Sequence, residues 1–302
     1  MNKKINVLDQ VGYVRRYSLL DGKEEGLKIC EIYNGKLRLL FNESRGFDLS
    51  QLFVDGINVS FLSKNGINNS KGDFLERFEG GMIYTCGYEN IGGREGFELH
   101  GTYHLHPAKV ILVERNDQEI VVKAEVVQSA LFGKNLKTVR EITTKIGSDT
   151  FTLKDTLVNE GTKEEDYVLL YHVNLGYPFL DEGVKIYSDA KSVTPRTPYA
   201  KECVNTRTEF LAPIDNEEEK RYFIENQTPI VKVTNERLKK EFVMTYSKET
   251  LPEFIEWYSV ASKDYALGLE PATCTLDDDF KYSKIKPNEK KEFTLTISVK
   301  DV

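Results

Sequence analysis

Four histidines occur in 302 residues, and their placement relative to one distant glutamate defines the chemistry open to this chain. His100, His104 and His106 share residues 99–107, Leu-His-Gly-Thr-Tyr-His-Leu-His-Pro. His172 lies in residues 169–178, Leu-Leu-Tyr-His-Val-Asn-Leu-Gly-Tyr-Pro. Glu270 is the one acid in residues 268–273, Gly-Leu-Glu-Pro-Ala-Thr. An imidazole titrates near neutrality, and a partly desolvated carboxyl is raised toward it, so a His and a Glu on separate strands suit proton transfer.

Each candidate has a structural alternative. His172 sits in an apolar run and reads equally as a buried neutral histidine satisfied by a neighbour. An alternating strand places it on the same face as Asn174, however, and two polar side chains on one face of an apolar strand suggest a lined cavity. Glu270 precedes Pro271, which removes a ladder donor, so it reads either as a cavity carboxyl or as a strand-end acid facing water. Trp257, the sole tryptophan, suits a stacking platform or a core position. His104 and His106 on a strand would share a face at a spacing used by metal ligands, but the next acid, Glu114, is distant. His100 is the better candidate for direct ligand contact. Arg77 and Arg45 could aim guanidinium donors at ligand hydroxyls or serve structure. The glycine-rich residues 78–93 carry neither a phosphate-loop Lys nor dinucleotide-fingerprint spacing. No Gly-x-Ser-x-Gly elbow is present, and Cys86 has no base near it in sequence.

These residues need many strands to position them. Period-two alternation or short apolar runs mark strands at residues 28–33 and 36–41, joined by the hairpin dipeptide Asn34-Gly35, and at 110–113, 120–127, 136–146 and 151–158. Residues 168–175 read as a strongly apolar, buried strand. Further strands are expected at 230–234, 242–246, 254–260, 266–269 and 293–299, the last a clean alternation. Helical turns are expected only near residues 6–18 and 71–77. Residues 66–72 read as an exposed loop, and the charge run 216–221 as a solvated turn. The expected fold is all-β, a large sandwich or barrel with few short helices, and no linker-like composition divides residues 1–302.

Bulk composition narrows the partners. The chain is 40% hydrophobic and 29% charged, ordinary for a globular protein. A formal charge of −7 with scattered Lys and Arg argues against a nucleic-acid surface. No apolar run approaches a membrane span, and no apolar segment follows the basic N-terminal residues. Cys30, Cys86, Cys203 and Cys274 are far apart and form no CxxC pair, so a cytoplasmic protein with reduced thiols is expected.

Taken in order, Leu-His-Gly at 99–101, Tyr-His-Val-Asn-Leu-Gly at 171–176 and Gly-Leu-Glu-Pro at 268–271 resemble the aldose 1-epimerase (galactose mutarotase-like) superfamily. Residues 155–161, 45–48, 80–87 and 107–108 extend the resemblance to its DUF4432 branch, over nearly the whole chain. It implies one β-supersandwich with a concave sugar-binding face and mutarotase (isomerase) activity on a small-molecule sugar. It further implies Glu270 as base on the anomeric hydroxyl, His172 as acid toward the ring oxygen, and His100 as a sugar contact. No metal or organic cofactor is implied. The Asn-Arg pair of better-known mutarotases is absent, leaving Arg77 or Arg45 in its place, with Asn174 and Trp257 as further candidate contacts. The rival readings are a non-catalytic carbohydrate-binding protein on the same fold, or a metal-dependent sugar isomerase using His104 and His106.

Overall fold

The computed structural model describes residues 3–277 and 279–302. Five strands near the start of the chain, β1 (Tyr13–Ser18), β2 (Lys28–Tyr33), β3 (Leu37–Asn42), β4 (Asp48–Val54) and β5 (Ile57–Asn58), form an antiparallel sheet in sequence order. The Asn34-Gly35 turn joins β2 to β3 as expected. The Asn34 side-chain oxygen accepts from the Lys36 and Leu37 amides at 3.0 and 2.7 Å, and Gly35 adopts a positive φ.

The second sheet has thirteen strands among the described residues. In chain order they are β6 (Ile83–Tyr88), β7 (Ala108–Arg115), β8 (Glu119–Ser129), β9 (Asn135–Lys145), β10 (Thr150–Asn159), β11 (Glu165–Gly176), β12 (Lys185–Pro195), β13 (Lys220–Asn235), β14 (Lys240–Tyr246), β15 (Glu253–Ala261), β16 (Asp264–Ala272), β17 (Ser283–Ile285) and β18 (Lys290–Asp301). They run β17-β11-β16-β15-β13-β14-β18-β10-β9-β8-β7, with β6 also paired to β11 and β12 to β13. One apolar core joins the sheets, with Leu39, Phe41 and Leu52 from the first and Leu153, Val173 and Leu295 from the second. β8, β9 and β10 alternate between buried and half-buried residues, each burying one face. β11 is buried continuously from Tyr167 onward, because it is covered on both faces. The expected all-β sandwich is thus the observed fold.

Two expectations change and one is met. Residues 6–18 hold only a 3-10 turn at Leu8–Gln10, after which Tyr13–Ser18 pairs with β2, as suits its aromatic and β-branched content. The helical turn near residue 74 is α1 (Phe74–Arg77), capped by Asp73, whose carboxylate accepts from the Glu76 amide at 3.1 Å. The loop at 66–72 is not fully exposed, since Ile67 and Asn68 are buried and the Asn68 amide donates to the Gly66 and Arg77 carbonyls. The one other α-helix among the described residues, α2 (Pro198–Glu202), follows β12.

A buried ionic frame fixes the first sheet against the second. Arg140 on β9 is fully buried and grips Asp155 through Nε and Nη2 at 2.9 and 2.7 Å, and Asp48 through Nη1 at 2.7 Å. Thr85 on β6 donates to Asp48 at 2.6 Å, and the Tyr171 hydroxyl on β11 donates to Asp155 at 2.7 Å. The residue beside His172 is therefore anchored from below.

Candidate active site

Strand register brings two distant parts of the sequence together. β11 pairs with β16 as Leu170↔Ala272 and again as Val173↔Leu269, and β15 pairs with β16 as Ile255↔Glu270 and Trp257↔Gly268. Between its two paired stretches the β11–β16 ladder is interrupted, where Pro271 has no N–H to give. The same register on either side of this gap sets His172 opposite Glu270. Their side chains meet, Nε2 to Oε1, at 3.1 Å, and both are almost fully buried.

Proton positions follow from the surrounding bonds. The Asn174 amide nitrogen donates to the Gly81 and His172 carbonyls at 3.0 and 2.9 Å, which fixes its oxygen toward the imidazole. That oxygen accepts from His172 Nδ1–H at 2.5 Å. Nε2 of a neutral His172 then carries only a lone pair, so the 3.1 Å contact requires a proton shared with Glu270. Burial acts in the same sense on both groups. It pushes the Glu270 carboxyl up to about 8, with Arg221 and Arg196 opposing the rise. It pulls His172 down to about 4, against the pull of Asn174 and with the help of Arg221. At neutral pH the pair therefore holds one transferable proton, and its titration belongs to the pair.

The pair lines a cleft of about 430 Å³, the size of a small-molecule site. Aromatic side chains flank it on two sides. Phe78 lies 5.8 Å from the His172 ring and Phe74 5.0 Å from His100, while Trp257 lies 5.4 Å from His172 and Phe61 6.1 Å from Trp257. Gly268 keeps the floor open: a Cβ there would stand 2.8 Å from Glu270 Oε1 and 3.0 Å from His172 Cε1. His100 also lines the cleft. Its backbone is left-handed, with φ 64°, and is followed by Gly101, where a Cβ would strike the Asn90 and Gly87 carbonyls. The Gly92 amide donates to His100 Nδ1 at 3.3 Å, which leaves Nε2–H as the donor of the neutral ring. Burial first, then His172 and Arg221, hold His100 well below its usual range, so it stays neutral.

The sequence-derived candidates divide accordingly. His172, Glu270, His100 and Trp257 line the cleft. Asn174 is fully buried and is spent on orienting His172, so it is a positioning residue and not a ligand contact. Arg45 and Arg77 do not line the cleft. Arg45 donates to the Asn68 and Ser70 carbonyls, and Arg77 donates to the Gly72 carbonyl at 2.6 Å and to Glu98 at 2.5 Å, so both staple loops. His104 and His106 are not on a strand: Tyr103–Leu105 is a 3-10 turn, and His106 follows it. His104 Nδ1 donates to Asp48 at 2.8 Å and its ring stacks on Tyr84 at 4.0 Å, which joins it to the Arg140 frame. No cluster of three or more His, Cys, Asp or Glu suited to a metal ion occurs among the described residues.

The cleft residues that escape a sequence reading include a charged pair. Glu219 and Arg221 lie in the charge run that reads as a solvated turn, yet β13 begins at Lys220 and pairs Arg221 with Trp257. Glu219 accepts from Trp257 Nε1 at 2.6 Å and pairs with Arg221 through its other oxygen. The available signal is a period of two starting inside the run, with Lys220, Tyr222 and Ile224 buried on one face and Arg221 and Phe223 on the other.

The family model for DUF4432, a domain of unknown function, matches residues 24–299. The chain belongs to this family. No curated protein sequence matches it. Among solved structures, a Klebsiella pneumoniae protein named a "putative aldose 1-epimerase" superposes with a TM-score of 0.87 at 25% identity, covering 96% of this chain and 85% of that one. A galactose mutarotase-like protein from Clostridium acetobutylicum gives 0.74 at 10% identity, covering 97% and 100%. A galactose mutarotase-like protein from Lactobacillus casei gives 0.63 at 13%, covering 90% and 100%. This DUF4432 protein thus has the mutarotase-like fold. No helix among its described residues is long and apolar enough to cross a membrane.

Proposed function

We propose that this DUF4432 protein is an aldose mutarotase, an isomerase that interconverts the anomers of a sugar through its open-chain aldehyde. The observation that carries the reading is the 3.1 Å His172–Glu270 contact on the floor of an aromatic-walled cleft. Ring opening needs one group to take the proton of the anomeric hydroxyl while another gives a proton to the ring oxygen. A pair that shares one proton supplies both. When that proton rests on Nε2, Glu270 is the base and His172 the acid. The C1–O bond to the ring oxygen breaks, the C1 carbonyl forms, and the pair is left with its proton on Glu270. Rotation about C1–C2 turns the carbonyl over. Closure then runs the transfers backwards, Glu270 protonating the carbonyl oxygen as His172 takes the proton from the attacking hydroxyl. Each positioned transfer contributes about 10²- to 10⁴-fold, and neither a nucleophile nor a redox partner is needed to balance the step. Trp257 and the three phenylalanines offer faces for sugar C–H groups, and neutral His100 offers an Nε2–H donor.

The test is two-dimensional exchange NMR of α and β anomers with the purified protein, across neutral, deoxy and acidic aldoses. At least one sugar is expected to exchange 100-fold or more above its rate in buffer. Binding of sugars without acceleration of any of them would replace this reading with that of a carbohydrate-binding protein.

A further inference from the structure

We propose that Arg221 is the specificity-determining residue of the cleft, and that it receives an anionic group, making the preferred substrate an acidic aldose. The inference rests on the mutarotase reading and adds the substrate class.

The donors and acceptors of the cleft are unevenly spent. Glu219 has both oxygens engaged, one by the Trp257 indole at 2.6 Å and the other by Arg221 Nη2. Asp264 is engaged by Lys64 at 2.7 Å. The third acid, Glu270, is held protonated by its burial. Two of the three acids lining the cleft thus already have protein donors, and the third shares its proton with His172. Arg221 is different: beyond Nη2 its guanidinium makes no hydrogen bond among the described residues, so Nε and Nη1 remain as donors in a fixed plane. A second arginine backs it. The Arg196 amide donates to the Arg221 carbonyl at 3.0 Å, its guanidinium binds Asp277 through Nε and Nη2 at 3.0 and 2.5 Å, and its Nη1 is buried without a partner.

Position makes these donors selective. Arg221 stands opposite Trp257 on the neighbouring strand, and Trp257 stands opposite Gly268, two residues from Glu270 on the same face. A sugar lying between Trp257 and Phe78 with its anomeric centre at the His172–Glu270 pair would extend its far substituents along this row. The planar fork of Arg221 suits a carboxylate bidentately, and a phosphate oxygen pair similarly. The arginines are also felt at the reacting groups, since both oppose the upward push of burial on Glu270 and both help hold His100 neutral.

The experiment compares kcat/KM for anomer exchange of D-glucuronate and D-galacturonate with D-glucose and D-galactose, with glucose 6-phosphate as a further arm that distinguishes carboxylate from phosphate. The protein is used as the wild type, as Arg221→Gln and as Arg221→Lys, each checked for native circular dichroism. The wild type is expected to favour an anionic sugar over its neutral counterpart by tenfold or more. Arg221→Gln is expected to cut that ratio about 10- to 100-fold, the usual worth of a charge-assisted hydrogen bond, and Arg221→Lys to restore part of it. Wild-type protein that exchanges neutral sugars as fast as acidic ones overturns the proposal and leaves the mutarotase reading standing. So does a preference that survives in Arg221→Gln. Failure to accelerate any sugar overturns both.

Discussion

Glu270→Gln is expected to lower kcat/KM for anomer exchange by about 10²- to 10⁴-fold with little change in KM, the loss of one positioned proton transfer. Gln keeps the shape of Glu and can still donate to His172 Nε2, so the 3.1 Å contact and the fold survive while the base is lost. The acid is stranded as well, because His172 takes its working proton from Glu270. The double variant Glu270→Gln, His172→Gln should therefore fall little further than either single one, as groups acting as a unit do. Stability should move the other way. The Glu270 carboxyl stays protonated in the folded protein up to about 8, whereas in the unfolded chain it ionises near its ordinary value of 4.5. Between those values the unfolded state holds fewer protons, and native stability drains away as pH rises. Glutamine does not titrate, so the thermal midpoint of Glu270→Gln should stand above that of the wild type at pH 8, with the gap closing toward pH 4.5. A variant with wild-type exchange rates would remove Glu270 from the mechanism.

The second large effect concerns the frame. Arg140→Met should destabilise the protein by about 3–5 kcal/mol, read from urea denaturation, because removing one partner of a buried ionic network strands the others. Arg140 has no exposed surface and is the cation between Asp48 and Asp155. Burial alone would raise the Asp48 carboxyl, but the hydrogen bond from His104 and the charge of Arg140 hold it below its usual range. Without Arg140 that balance is lost, and two carboxylates face each other in the core. Combining Arg140→Met with Asp48→Asn and Asp155→Asn should recover part of the loss, since the stranded charges are then gone. A cost below about 1 kcal/mol for the single variant would show the network to be dispensable.

What the sequence disclosed depended on how local the signal was. Alternation located most of the strands because one face of each is buried, and the twice-buried β11 stood out as an apolar run. His172, Glu270, His100 and Trp257 were legible as cleft candidates because a polar or aromatic side chain in an apolar setting needs a reason. Asn174 was placed on the right face, but its job, turning one imidazole nitrogen toward Glu270, depends on the Gly81 carbonyl from a distant segment. Arg45 and Arg77 look like ligand donors in sequence because nothing local shows the loop carbonyls that consume them. The HxH spacing misled for a related reason: a strand would align His104 with His106, but a 3-10 turn does not, and Asp48 claims the first. Glu219 and Arg221 were hidden by composition, since a run of charges resembles a solvated turn until the pairing of β13 with β15 turns alternate residues inward.

The central claim is that His172 and Glu270 work as a pair sharing one proton, and the pH dependence of kcat/KM on the best sugar tests it most directly. Below about 4, His172 holds a proton of its own and Glu270 cannot serve as base. Above about 8, the shared proton is gone and His172 has none to give. The account predicts a bell with a broad maximum between those limbs, each falling tenfold per pH unit, and the loss of the bell in Glu270→Gln. A rate that is flat from pH 4 to 9, or one that keeps rising above pH 8, would contradict it.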